Sequence, residues 1–479
     1  MRRHRAGGGS PVIEQLTTLA ASSQLLPARS QMAFTLGFHI ILACLGVGFP
    51  AMMLIANYIG LRRDDPVALE LAQRWSKVAA VTFAVGVVTG TVLSFEFGLL
   101  WPEFTQRFGE VFGILFTIEG IFFFLEAIFL TIYIFGWRRL SGWKHFWTGV
   151  PVAICGIGGA FSVVAVNSWM NQPQGFTLGA DGAVTDVDPL KVIFNPAVPY
   201  EVPHMILAAY LVTCFLVASV YAVGMLRGRR DRHHRLGLLI PLTVGCILAP
   251  IQFVVGDTAA REIAKDQPIK FAAMECVQTT STNVTEYIGG RCTEDGVKGG
   301  IGIPGLDSWL VGFSTDTEVT GLDTVPARDR PPANTLLHWA FDLMVGVGSA
   351  LILLGLWFGF VWWRRRDIPQ TKWFLRAVAM SGVATILALE SGWIVTEVGR
   401  QPWVVYEVMR TEEAVTDAGG IWVTFGLVLA LYTFLGAATI LVLRSMARRW
   451  REGDVSDEEV PYGPRDGAPA ATSTAGGSE

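Results

Sequence analysis

Glu390, Trp393, Glu397 and Arg400 follow one another at steps of three, four and three residues, so on a helix they share one face. They close an apolar stretch that begins near Phe374. Ionisable side chains at membrane depth are costly, and a stripe of them faces a polar or charged partner inside a helix bundle. For one glutamate the plainer alternative is a helix end with snorkelling anchors. Two glutamates, Arg400, Trp393 and Trp403 at one helix exit argue instead for a buried site. His39, Glu119, Glu126, His204 and Met344 stand isolated in other apolar stretches. Structural zinc wants four closed nitrogen or sulfur ligands, and the chain has no CxxC and no His pair one helix turn apart. Haem needs only one or two axial ligands per iron, so single His and Met residues on different helices suffice.

The elements that must hold these residues are membrane helices. Of 479 residues, 51% are hydrophobic and only 16% charged, with 16 Trp and 29 Phe, a departure from soluble composition toward an integral membrane protein. Nine stretches are long enough to cross about 30 Å of hydrocarbon as helices: 32–60, 78–100, 112–136, 146–170, 203–226, 236–256, 338–363, 374–398 and 421–444. Clusters of Lys and Arg follow the first, third, fifth, seventh and ninth of them. The positive-inside rule then places the N-terminus outside and the C-terminus in the cytoplasm, although Arg2, Arg3 and Arg5 fall on the outer side. The first residues lack the apolar core of a cleavable signal peptide. A net charge of −4 and the absence of a basic patch exclude nucleic acid as a partner.

The sequence thus reads as an all-α protein: an N-terminal segment 1–30, transmembrane helices one to six in 31–256, a long outer loop 257–337, helices seven to nine in 338–445, and a disordered cytoplasmic tail 446–479. In this topology His39, Glu119, Glu126, His204, Met344, Glu390 and Glu397 all fall in the outer to middle part of the bilayer, as a common site requires. His145, His233 and His234 in basic loops and His4 in the N-terminal segment read as solvated, whereas His338, at the mouth of the seventh stretch, is a substitute ligand. Cys44, Cys155, Cys214 and Cys246 stand singly inside spans as small hydrophobes.

Several runs resemble subunit I of the cytochrome bd terminal oxidases. They are Q-M-A-F-T-L-G-F-H (31–39), S-F-E-F-G-L-L-W-P (94–102), I-E-G-I-F-F-F-L-E (118–126), N-S-W-M-N-Q-P (167–173), G-D (256–257), Q-P-I-K-F-A-A-M-E (267–275) and G-W-I-V-T-E-V-G-R-Q-P-W (392–403). The resemblance implies a respiratory enzyme of the bacterial cytoplasmic membrane that reduces dioxygen to water with electrons from a quinol, menaquinol or ubiquinol. It implies two haem b and one chlorin-type haem d, a second membrane subunit and a small single-span subunit. His204 and Met344 would be the axial pair of the low-spin haem b, a saturated iron left to transfer electrons. His39 and Glu397 would each hold one of the other two irons, with Trp393 and Arg400 lining that pair. Glu119 and Glu126 would relay protons from the cytoplasm, and Lys270 and Glu275 would grip the quinol in the outer loop.

The chain departs from the family pattern in four places. The run between Glu119 and Glu126 is one residue shorter, Ala127 stands where a Ser is often found, Asp342 replaces an Arg two residues before Met344, and no aromatic follows Glu275. These leave room for a bd-like oxidase with a different electron donor. A transporter using buried carboxylates would need no His/Met pair and should show repeated halves. A haem sensor or electron conduit would need neither His39 nor the glutamate relay. Cys276 and Cys292 share the outer loop, a compartment that permits a disulfide. The bridge should restrict the unfolded loop by about 3 kcal/mol. Non-reducing peptide mapping should recover the two cysteines linked; recovery of both as free thiols would reject the bridge.

Overall fold

The computed structural model describes residues 11–180, 182–332 and 334–452. His4, Arg2, Arg3, Arg5 and the tail beyond Glu452 lie outside the described residues. Among the described residues, nine long helices match the nine apolar stretches: α1 Pro11–Arg63, α2 Pro66–Leu100, α3 Pro102–Gly136, α4 Gly142–Asn171, α5 Val198–Leu226, α6 Arg232–Asp266, α7 Asn334–Arg365, α8 Lys372–Gly399 and α9 Ile421–Glu452. Most run past the apolar stretch that announced them, because local signals beyond the hydrocarbon set their ends. Asp65 caps α2 by accepting from the backbone of Val67 and Ala68 at 3.1 and 3.4 Å, and Pro66 and Pro102 occupy first-turn positions where no N–H is needed. Asp231 caps α6 through the His234 N–H at 3.0 Å. The tail expected from 446 begins later, since α9 continues to Glu452.

Neighbouring helices run antiparallel in two groups, α1 to α4 and α5 to α8, joined where α5 lies along α1, α4 and α8. Short turns at one end carry the basic clusters, such as Arg138 and Arg139, Arg227 to Arg230, and Arg364 to Arg366. The opposite end carries the long connections. Aromatic side chains fill the core under that end, with Phe104, Phe108 and Trp169 wholly buried. α9 lies at the edge, held by the Thr424 hydroxyl donating to Gln31 at 2.8 Å and by Tyr432 donating to the Thr89 carbonyl at 3.1 Å.

His145 is not solvated as its basic loop suggested. It is 0% exposed, because α4 starts at Gly142 and carries it back into the bundle. Its ring stacks on Tyr133 with centroids 4.3 Å apart, and its Nε2 lies 2.7 Å from the Tyr133 carbonyl. His233 and His234 are half-buried in the first turn of α6, His234 with its Nδ1 2.7 Å from Asp231.

The long connection is built rather than open. α6 continues ten residues past the expected boundary, to Asp266, and a short helix, Pro268–Met274, follows at once. Two antiparallel strand pairs come next, Glu286–Ile288 with Ile301–Ile303 and Arg291–Thr293 with Gly296–Lys298, then a helix Leu306–Gly312. A disulfide joins Cys276 to Cys292 with Cα atoms 5.6 Å apart. The first turns of α7 hold both halves: His338 Nδ1 lies 2.8 Å from the Met274 carbonyl, and Asp342 accepts the Gly289 N–H at 2.6 Å. Replacing His145 with Ala should leave a cavity and an unmade hydrogen bond, costing about 2–3 kcal/mol. A thermal melt of the detergent-solubilised complex would show a drop of several degrees; a shift worth about 0.5 kcal/mol or less is what a solvated histidine would give.

Candidate functional site

Two adjacent cavities collect the residues singled out above. The larger, about 670 Å³, is lined by His39 from α1, Glu119 and Glu126 from α3, Asn167 from α4, and Glu390, Trp393, Glu397 and Arg400 at the end of α8. The smaller, about 350 Å³, is lined by His204 from α5, Met344 from α7, and Glu275, Glu286 and Asp307 from the long connection. Trp393 and Asn167 line both, so the two share a wall.

Each candidate ligand is fixed by what lies behind it. Thr89 donates its hydroxyl to the backbone of its own helix, to Val85 and Gly86 at 3.1 Å. Its oxygen is then left to accept from His39 Nδ1 at 2.9 Å. That bond puts the ring proton on Nδ1 and leaves the Nε2 lone pair for a metal. Small residues keep the ligands' surroundings clear: a Cβ at Gly90 would come within 3.0 Å of the His39 ring, one at Gly256 within 3.2 Å of His204, and one at Gly392 within 3.2 Å of Met344 Sδ. Glu397 accepts from Asn167 at 2.6 Å on one oxygen and from Arg400 at 2.7 Å on the other.

Around Glu397 lies a network that the sequence did not announce. Asn171 donates to Asn167 at 3.2 Å and to Glu201 at 3.0 Å, and Lys270 donates to Asn171 at 3.3 Å. Two carboxyl groups, Glu397 and Glu201, and two basic groups, Arg400 and Lys270, thus meet in one buried network. Lys270 and Glu275, expected as one clamp, do not face the same cavity. Glu275 lines the smaller one, whereas Lys270 turns toward α4, with its methylenes against Gly399. Burial lowers the Lys270 ammonium to about 8, with Glu201 working against that fall. Glu201 sits three residues before His204, and Asn167 and Asn171 open and close the quoted N-S-W-M-N run; those spacings were the available signal. His338 does not act as a substitute ligand, because both its ring nitrogens meet backbone oxygens of the long connection.

The orphaned polar atoms test whether haem fits. Arg400 is 2% exposed, yet its Nε and one terminal nitrogen have no protein partner, and neither does Trp393 Nε1 nor one oxygen of Glu390. A propionate-bearing cofactor in the larger cavity would satisfy a buried guanidinium in this way. His204 and Met344, brought to one cavity from α5 and α7, supply the nitrogen and thioether of an axial pair. Fold and site together define a polytopic membrane protein with two adjoining buried cavities lined by residues that could hold a redox cofactor.

Comparison with known proteins gives the particular family. The model of the cytochrome bd terminal oxidase subunit I family matches residues 27–450. A putative cytochrome bd menaquinol oxidase subunit I of Bacillus subtilis (strain 168) is 37% identical over 428 residues, 88% of this chain and 95% of that protein. The cytochrome bd ubiquinol oxidase subunit 1 of the same organism is 30% identical over 461 residues, 92% and 96% of the two chains. The bd oxidase structure from Geobacillus thermodenitrificans superposes with a TM-score of 0.83 at 36% identity, covering 89% of this chain and 98% of that one. The chain belongs to the cytochrome bd terminal oxidase subunit I family. It is therefore a multi-pass protein of the bacterial cytoplasmic membrane and an oxidoreductase subunit of a respiratory terminal oxidase; membership implies haem cofactors and a subunit II partner.

The carboxyl groups of the long connection carry a pH signature. Burial, reinforced by neighbouring carboxylates, raises Glu286 to about 7 and Asp307 to about 8, and raises Glu275 well above the ordinary carboxyl range. The folded chain then holds protons that the unfolded chain releases, so this contribution is full below the ordinary carboxyl pKa and is lost as pH rises through the folded values. Hydrogen-exchange protection of residues 286–303, corrected for the intrinsic rate, should fall between about pH 5 and about pH 8. Asp307→Asn should flatten that slope, and an unchanged slope would contradict it.

Proposed function

We propose that this chain oxidises quinol at the end bearing the long connection, taken as the outer face, and supports reduction of dioxygen to water with protons drawn from the basic, cytoplasmic end. One observation carries the reading: the His204/Met344 cavity, which holds Glu275, shares the Trp393 and Asn167 wall with the cavity of His39 and Glu397. A donor and an acceptor compartment would thus lie side by side. Two haem b and one haem d, when bound, would carry the electrons and the oxygen chemistry.

His204 and Met344 would hold the low-spin haem b. His39, oriented by Thr89, and Glu397, held by Asn167 and Arg400, would hold the other two, with Trp393 and Glu390 against them. Arg400 would pair a propionate. Glu119 and Glu126, seven residues apart on α3 and both open to the larger cavity, would pass protons along one helix face toward it. Glu275 would accept a quinol hydroxyl hydrogen bond. Lys270, facing Asn171, would position the Glu397 and Arg400 network rather than touch quinol. The relatives' names specify menaquinol in one case and ubiquinol in the other; both present the two hydroxyls this site needs. The assembly would comprise subunit II and a small single-span subunit.

In membranes carrying the complete oxidase, Glu275→Ala should abolish most quinol oxidation, a loss of about tenfold or more, with the haem spectrum intact. Lys270→Ala should instead disturb the spectrum of the haem pair near Glu397. Quinol oxidation at the wild-type rate in Glu275→Ala would refute the assignment of this cavity.

A further inference from the structure

The smaller cavity holds more carboxyl groups than a quinol clamp needs. Glu275, from the end of the Pro268–Met274 helix, lies beside Glu286 on the first strand of the connection, each carboxyl acting on the other. Two carboxyls so placed share a hydrogen bond only when one of them carries a proton. Asp307, in the first turn of the Leu306–Gly312 helix, is 1% exposed, and neither of its oxygens has a hydrogen-bond partner; one oxygen each of Glu275 and Glu286 is likewise unpartnered. All three open to the cavity of His204 and Met344. The other titratable groups lining this space are Glu201 and His204 of α5 and Asp257 and Arg261 of α6, while Asp342 and His338 of α7 act on the carboxyl groups from outside the lining. Arg261 is already paired with Asp257 at 3.0 Å, and His338 Nε2 lies 3.5 Å from Asp342. Among the described residues Arg261 is the only Lys or Arg lining the cavity, and its charge is answered by Asp257, which leaves three buried carboxyl groups without matching cations.

We propose that Glu286 and Asp307 act with Glu275 as acceptors for the two protons that quinol gives up, and that Glu286 delivers them to the outer water. This rests on the reading of the Glu275 cavity as the quinol site. Oxidation of one quinol breaks two O–H bonds and yields quinone, two electrons and two protons. The electrons pass on to dioxygen, two quinols supplying the four that, with four protons from the opposite side, make two waters. The two released protons need acceptors within hydrogen-bond reach of the hydroxyls, and one carboxylate takes only one. Asp307 is the inner member, sealed from solvent. Glu286 is the outer one, half-buried on a strand whose partner, Ile301–Ile303, is exposed. Groups poised near 7 to 8 hold a proton much of the time at neutral pH, so the quinol's protons leave one after the other, each carboxyl passing its proton outward before it takes the next. The disulfide at Cys276 and the Asp342 contact to Gly289 hold the carboxyl groups in register.

The test uses the intact oxidase complex with Glu286→Gln, Asp307→Asn and Asp307→Glu. Two electron donors are compared: a short-chain quinol, and ascorbate with tetramethyl-p-phenylenediamine, which delivers electrons without releasing protons from the mediator. Glu286→Gln and Asp307→Asn should each lower quinol kcat by about tenfold or more with little change in KM, and should move the acid limb of the pH profile. Asp307→Glu should restore most of the rate, and mediator-driven oxygen uptake should stay at the wild-type level in all three. Wild-type quinol kcat and pH profile in both amide variants would overturn the proposal. So would a parallel loss of mediator-driven uptake, which marks a structural defect. If Glu275→Ala also leaves quinol oxidation intact, the quinol site itself is misplaced; if only the two amide variants are silent, the proton-acceptor role alone fails. Should the variants not assemble, quinol-induced infrared difference spectra of the wild-type complex decide. A change in protonated-carboxyl bands is expected, and its absence overturns the proposal.

Discussion

Arg400 and Glu397 meet in the bundle at 2.7 Å, the guanidinium almost wholly out of water. Placing an ion in such a medium costs several kcal/mol unless charge and hydrogen bonds answer it. Much of the surrounding architecture is that answer. Asn167 takes the second oxygen of Glu397, Asn171 ties Asn167 to Glu201, and Lys270 reaches Asn171 from the connection between α6 and α7. The network welds α4, α5, α8 and the short Pro268–Met274 helix into one wall. It still leaves two Arg400 nitrogens for a cofactor carboxylate. Removing one member would strand the others, so ligation in the larger cavity and placement of the connecting segment cannot vary independently.

The same constraint acts with opposite sign across that wall. In the smaller cavity the buried carboxyl groups outnumber the one cation, Arg261, which is already paired with Asp257, so burial favours their protonated forms. One compartment brings carboxyl and basic groups together; the other gathers carboxyl groups without matching cations. Trp393 and Asn167 line both compartments and divide them. Asp342 accepts the Gly289 N–H and faces His338, pinning the connection to α7.

The nine helices were legible because hydrocarbon thickness imposes a run length that sequence must display. Helix ends were read short wherever capping residues such as Asp65 and Asp231 extend a helix past its apolar run. The residues of the larger cavity were legible because an ionisable group inside an apolar stretch is conspicuous. Glu286 and Asp307 were not, since a carboxylate in a polar loop looks ordinary until the fold removes it from water. His145 failed for the same reason in reverse: its basic neighbours suggested solvent, and only the packing of Tyr133 and Trp137 around it shows otherwise. The Lys270 and Glu275 pair shows the limit of spacing. Five residues on a helix place side chains well apart in angle, and the fold puts Glu275 in the smaller cavity and Lys270 in the wall beside it.

In the proposed function the two neighbouring cavities would hold one axially saturated haem and two haems with an open position. The measurement that tests it most directly is a dithionite-reduced minus air-oxidised visible spectrum of the purified complex, with and without carbon monoxide, alongside extraction and mass analysis of its haems. The account predicts three haems including one chlorin, with carbon monoxide shifting only the high-spin pair. A folded complex that carries no haem, or one in which carbon monoxide also displaces the low-spin signal assigned to His204 and Met344, would contradict it.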